Sequence, residues 1–197
     1  MLSAGVSPAL PFILLLDNGV VEGRPVRHGD VPQLAQAILL GRKSARAQYW
    51  LRRGRTEHAS VPAFQQLAAE LHALGAPREL VGRALEAARD ECGHALLCYG
   101  MAQRHSGMPV AVGASPGWHI RGGDRSTRLS RIARESLYDG IIGEGNAAKR
   151  ARGRRDAERD ELTGRVENAI VVEESRHADL AKDLVHWAVR EGASLAA

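Results

Sequence analysis

The chain has 197 residues, a formal net charge of +4 and only 4 % aromatic residues. That length supplies one well-buried core and is short for two. Abundant Ala, Leu, Arg and Glu with so few aromatics exclude a sheet-rich fold and favour close-packed helices, while a modest charge spread along the chain demands no nucleic-acid partner. The one dense basic run, Lys149 to Arg155, is followed directly by Asp156, Glu158, Asp160 and Glu161, which dilute its field.

Residues 1–45 carry turn signals, Asp17-Asn18-Gly19, Glu22-Gly23-Arg24-Pro25 and His28-Gly29-Asp30, between short apolar pieces such as Val20-Val21. They predict a hairpin or irregular arm that caps a domain spanning 46–192. The apolar run Ala9 to Leu16 is far shorter than the ~20 residues a membrane helix needs. It also lacks a basic stretch before it and a small-residue cleavage site after it, so a cytoplasmic protein with no membrane span is expected.

Four helices are predicted in the remainder. The first runs from about Ser44 to Leu74, with Trp50, Glu57, Phe64, Ala68 and Leu71 near helical spacing and an expected kink at Pro62. The second covers about Arg78 to His105 and stops at Gly107-Met108-Pro109. A glycine- and proline-rich stretch from 107 to 124 has no period and reads as a long crossover that lets helices two and three run parallel. The third helix is expected over about 126–150, where Gly140, Gly143 and Gly145 weaken it and so point to close packing around Glu144. The fourth spans about 156–190, with Leu162, Val166, Ile170, Glu174, His177, Ala181 and Leu184 on its buried stripe.

Two of these helices carry Glu-x-x-His, as Glu91/His94 and Glu174/His177, and the other two carry the single carboxylates Glu57 and Glu144. Residues three apart leave one face of a helix a turn apart, so each pair can offer an oxygen and a nitrogen to one metal ion. Chance alone gives roughly half a Glu-x-x-His match in such a composition, so the setting decides. Charged groups on the core-facing stripe of each helix are costly unless paired or metal-bound. Six side chains with four negative charges would neutralise two divalent ions, and oxygen with imidazole suits iron or manganese.

Individual residues keep simpler readings. Glu57 could pair with Arg53 or Arg55, and Glu144 with Lys149 or Arg150. Glu135 lies nine positions before Glu144, about 180° away on an α-helix, and is a poor competitor; Asp139 is a closer one. Asp90 and Glu173 each precede a ligand glutamate, where an acid can accept the free ring N–H of a metal-bound imidazole on the neighbouring helix. Arg176 could support those acids or pair at the surface. Cys98 reads as a small interior filler, and its divergence from Cys92 along one helix excludes a bridge between them, in keeping with a reducing compartment. His58, His72, His105, His119 and His186 have no partner at ligand spacing.

The segments Glu57-His58-Ala59-Ser60-Val61, Asp90-Glu91-Cys92-Gly93-His94-Ala95, Asp139-Gly140-Ile141-Ile142-Gly143-Glu144 and Glu173-Glu174-Ser175-Arg176-His177-Ala178 resemble the bacterial ferritin-like domain proteins over about residues 45–190. The last is also similar to the second metal motif of bacterial multicomponent monooxygenases and the ribonucleotide reductase small subunit. Glu173 stands where an aspartate is usual, and Gly93 is a further departure. The resemblance implies an all-α, ferritin-like four-helix bundle with a long crossover between helices two and three. It implies two metal ions, iron or a manganese–iron pair, on Glu57, Glu91, His94, Glu144, Glu174 and His177. The expected activity is dioxygen-dependent oxidation or hydroxylation of a small molecule, with an electron donor, by a monomer or homodimer. The competing expectation is a ferritin-like ferroxidase or peroxide-reducing protein for iron handling and protection from oxidative stress.

Overall fold

The computed structural model describes residues 13–15, 37–40, 44–115, 117–144, 153 and 160–195, with backbone alone for 13–15 and 142–144. Its elements are β1 (Ile13–Leu15), β2 (Ala37–Leu39), α1 (Ala45–Ala73), α2 (Arg78–Ser106), β3 (Val110–Val112), α3 (Arg125–Glu135), a π-helical stretch Ser136–Glu144 that continues α3, and α4 (Glu161–Arg190). The described residues thus form a mostly helical protein with one small three-stranded sheet.

Side-chain caps fix where α1, α3 and α4 begin. Ser44 Oγ accepts from Ala47 N at 3.1 Å, Asp124 Oδ1 from Thr127 N at 2.7 Å, and Asp160 Oδ2 from Thr163 N at 3.1 Å. Each satisfies an otherwise orphaned first-turn donor. The last of these corrects the expected start of helix four: the acidic run begins at Asp156, but Asp160 carries the cap and is held in turn by Arg104 of α2 at 3.0 Å. Gly107 ends α2 with φ +74°, the left-handed turn that only glycine adopts without strain.

Pro62 does not break α1, which runs as one 29-residue helix through it. Gly54, the other expected interruption, serves packing: a Cβ there would lie 2.7 Å from ring carbons of Tyr99, so α1 and α2 approach closely at this turn. The third helix departs further from expectation, because its second half is π-helical rather than α-helical. The wider i→i+5 winding removes the α-helical reckoning that set Glu135 opposite Glu144. Gly140 sits in this stretch where a Cβ would come within 2.4 Å of Ala181 Cβ on α4. The basic run 149–155 falls almost wholly outside the described residues.

The N-terminal strands do not pair with each other. β3, from within the stretch expected to be irregular, lies between them, parallel to β1 and antiparallel to β2. Val110-Ala111-Val112 is too short to show a period, yet all three residues are buried.

Contacts between helices set their directions. Arg83 meets Asp183 at 2.6 Å and Arg104 meets Asp160, so α2 and α4 are antiparallel. The Arg125–Glu191 pair and the Gly140–Ala181 contact make α3 and α4 antiparallel as well. Two apolar clusters fill the interior. One gathers Trp50, Leu51, Ala95, Cys98, Tyr99, Ala102, Ala37 and Leu39 of β2, Val110 and Val112 of β3, Val166 and Ile170; the other gathers Leu71, Leu74, Leu80, Ala84, Ala87, Leu129, Ile132, Ala133, Leu180, Leu184 and Trp187. On α1, α2 and α4 alike, a polar segment separates the two.

Candidate metal centre

That segment holds Glu57 on α1, Glu91 and His94 on α2, and Glu174 and His177 on α4, all buried. Ligand atoms of Glu57, Glu91, His94 and Glu174 lie within 4.8 Å of one another. His177 joins them, its Nδ1 standing 3.3 Å from Glu91 Oε1 and 3.7 Å from Glu174 Oε2. His94 Nδ1 stands 3.7 Å from Glu91 Oε2 and 3.8 Å from Glu174 Oε1. Glu91 and Glu174 therefore each turn one oxygen toward one imidazole and the other oxygen toward the second.

The outer ring nitrogens are held by acids that cross between the helices. His94 Nε2 lies 2.7 Å from Glu173 on α4, and His177 Nε2 lies 3.2 Å from Asp90 on α2. A carboxylate only accepts, so each Nε2 carries its hydrogen and each Nδ1 is the atom turned inward. Arg176 Nη2 donates to Asp90 at 3.0 Å and sits 3.7 Å from Glu173, tying the two acids together. Phe64 lies against the His177 ring with centroids 5.2 Å apart.

Glu57 does pair with Arg53, whose Nε lies 3.0 Å away, but the pair is interior rather than on the surface. The same guanidinium donates to Glu167 at 2.8 Å and stacks on Trp50. Glu167 is a buried carboxylate that the sequence reading missed. Its signal was its place seven residues before Glu174, two turns along the same face. Glu144 ends the π-helical stretch, and its side chain lies outside the described residues. Cys98 is buried and Cys92 exposed, both as free thiols.

The electrostatics are those of an acidic cluster closed off from water. Burial pushes Glu57 up to about 8, with Glu91 and Glu174 adding like-charge repulsion that Arg53 only partly offsets. For the histidines burial opposes the charged ring, but Glu91 and Glu174 outweigh it, raising His94 to about 9 and His177 to about 10. Protons thus serve as the cations that the carboxylates require. Glu91 Oε2 and both Nδ1 atoms nevertheless make no hydrogen bond of sound geometry, although buried polar atoms are normally satisfied. Orphaned oxygen and nitrogen donors aimed at one point fit a metal ion.

A second buried polar group was also missed. Arg121, from the 107–124 connection, forms two double hydrogen bonds, at 2.8 Å to both oxygens of Glu70 and at 2.5 and 2.8 Å to those of Glu135. It fastens the connection to α1 and α3.

Fold and site together define a mostly helical protein with a buried glutamate and histidine cluster that could hold a metal ion. No helix among the described residues is long and apolar enough to cross a membrane. Comparison of the chain with protein-family models, curated proteins and solved structures returns no match.

Proposed function

We propose that this chain is a ferritin-like protein that holds two metal ions, iron or a manganese–iron pair, and uses them to activate dioxygen for the oxidation of a small molecule. The observation that carries this reading is the disposition of Glu91 and Glu174, each offering one oxygen to the side of His94 and one to the side of His177. Two carboxylates so placed, with one histidine on either side, would hold a pair of ions. Glu57 would add a third carboxylate, and Glu144 is assigned to the set on the strength of the sequence resemblance. The helix directions add support: α2 and α3 both oppose α4, as a crossover through the 107–124 connection requires.

Bound there, two Fe(II) ions would supply two electrons to dioxygen. The chain's own contribution is positioning. Glu173 and Asp90 hold the ring hydrogens on Nε2 and leave the Nδ1 lone pairs for the metal; Arg176 keeps those acids in place. Arg53 donates to both Glu57 and Glu167 and so offsets part of their buried charge. Phe64 shields the ring of His177.

Anaerobic titration with Fe(II) followed by exposure to oxygen tests the reading. Two equivalents bound per chain, with a new visible or near-ultraviolet absorption on oxygen addition and oxygen consumed, is expected. Fewer than one equivalent bound, or binding without oxygen uptake, would reject it. Assembly size separates the iron-handling alternative, since a storage protein is a large multimer.

A further inference from the structure

Beside His177, on the side away from α2, lies a cavity of about 150 Å³ between α1, the α3–π segment and α4. Phe64, Leu67, Ile132, Leu180 and Leu184 give it mostly apolar walls, and the imidazole of His177 forms part of the wall facing the centre. Gly140 and Ala181 both line it, at the point where a Cβ on the glycine would come within 2.4 Å of the alanine Cβ.

Its polar rim determines what it would accept. Arg121 borders the cavity, but its guanidinium is already engaged by both oxygens of Glu70 and both of Glu135. It therefore offers no clamp for an incoming carboxylate or phosphate. The other cation among the described lining residues, His177, is likewise flanked by Asp90, Glu91 and Glu174, so neither cation is left to hold an anion. Space of about this volume with mainly apolar walls takes up a molecule the size of benzene.

We propose that this cavity is the substrate subsite of the centre and that it takes a small, uncharged, largely apolar molecule of about the size of a single aromatic ring. The proposal rests on the metal-centre reading for its catalytic meaning, while the binding itself depends only on the cavity. His177 is shared by both, so a molecule in the cavity sits against the ring of a ligand residue.

Toluene and benzoate, equal in ring size and different in charge, are the probes. They are titrated into the metal-free full-length protein with ligand-detected NMR and thermal shift as readouts. Toluene is expected to bind at least about tenfold tighter than benzoate. Ala63→Leu and Ser60→Leu, which fill the cavity from α1, are each expected to weaken toluene at least about tenfold while the helical circular dichroism is kept. Toluene should also shift the visible bands of Co(II) bound to the protein. Benzoate binding as tightly as toluene, or unchanged toluene affinity in both folded variants, would overturn the proposal; if neither variant folds, the toluene-to-benzoate ratio on the unaltered chain decides. Toluene uptake without Co(II) binding would remove the metal-centre reading and keep the ligand site, whereas Co(II) binding without toluene uptake would do the reverse.

Discussion

His94 on α2 and Glu173 on α4 face each other across the bundle, with Nε2 2.7 Å from the carboxylate. The contact fixes which ring nitrogen points inward and ties two helices together at the level of the site. Loss of such a partner weakens metal binding about 10- to 100-fold in comparable sites. Glu173→Ala is therefore expected to lower Co(II) affinity by about that factor in a competition titration, with Glu173→Gln falling between. Equal affinity in the unaltered and alanine proteins would show that the contact does not orient a ligand.

Removing an inward-pointing group should act on occupancy rather than on the fold. Glu91→Ala and His177→Ala are each expected to hold well below two ions per chain by elemental analysis, while helical circular dichroism is retained. Glu91→Ala relieves repulsion among the carboxylates in the metal-free state, whereas His177→Ala removes a cation beside Glu91 and Glu174 and should lower the melting temperature without abolishing the helices. Full occupancy in either would reject that residue as a ligand.

Gly140 meets Ala181 where there is no room for another methyl group. Gly140→Ala should destabilise the protein by about 1–3 kcal/mol through overpacking, and a thermal melt should show it as a drop of about 2–4 °C per kcal/mol. Pairing it with Ala181→Gly should recover part of the loss. Additive losses in the double variant would mean that the two residues do not share the contact.

The Arg121–Glu70–Glu135 group is a second target. Glu70 is fully buried, so Arg121→Ala strands its charge and should cost about 3–5 kcal/mol. Burial alone would raise Glu70, but the hydrogen bonds from Arg121 outweigh it and hold the carboxyl below its ordinary value of 4.5. A depressed folded value means that the contribution is complete above the unfolded value and is lost as pH falls through the folded one. The stability gap between the unaltered protein and Glu70→Gln, measured by urea unfolding, should therefore be constant near neutrality and shrink below about pH 4.5. A gap independent of pH down to pH 3 would contradict this.

Much of the architecture was legible in the chain because helical periodicity and stop signals are local. α1 and α2 fall within a residue or so of expectation, since Ser44, the Gly75-Ala76-Pro77 turn and Gly107 announce their ends. Local signals also misled: Leu162, placed on the buried stripe of the fourth helix, is 40 % exposed. The π-helical winding after Glu135 has no marker in residue spacing, and β3 is three residues long.

The sequence by itself placed Glu57, Glu91, His94, Glu174 and His177 on inner helix faces, because three- and four-residue spacing fixes relative direction within one helix, while it left the equally buried Glu70 and Glu167 unmarked. It also contained the pairing of Asp90 and Glu173 with the opposite histidines as an expectation, since each adjoins a ligand position. Only the tertiary structure decided that Glu91 and Glu174 each reach toward both histidines, that Glu167 and Arg53 flank Glu57, and that a cavity opens beside His177. Arg53 and Glu167, for one, stand 114 positions apart, and all these relationships depend on helix directions and packing distances that no local period encodes.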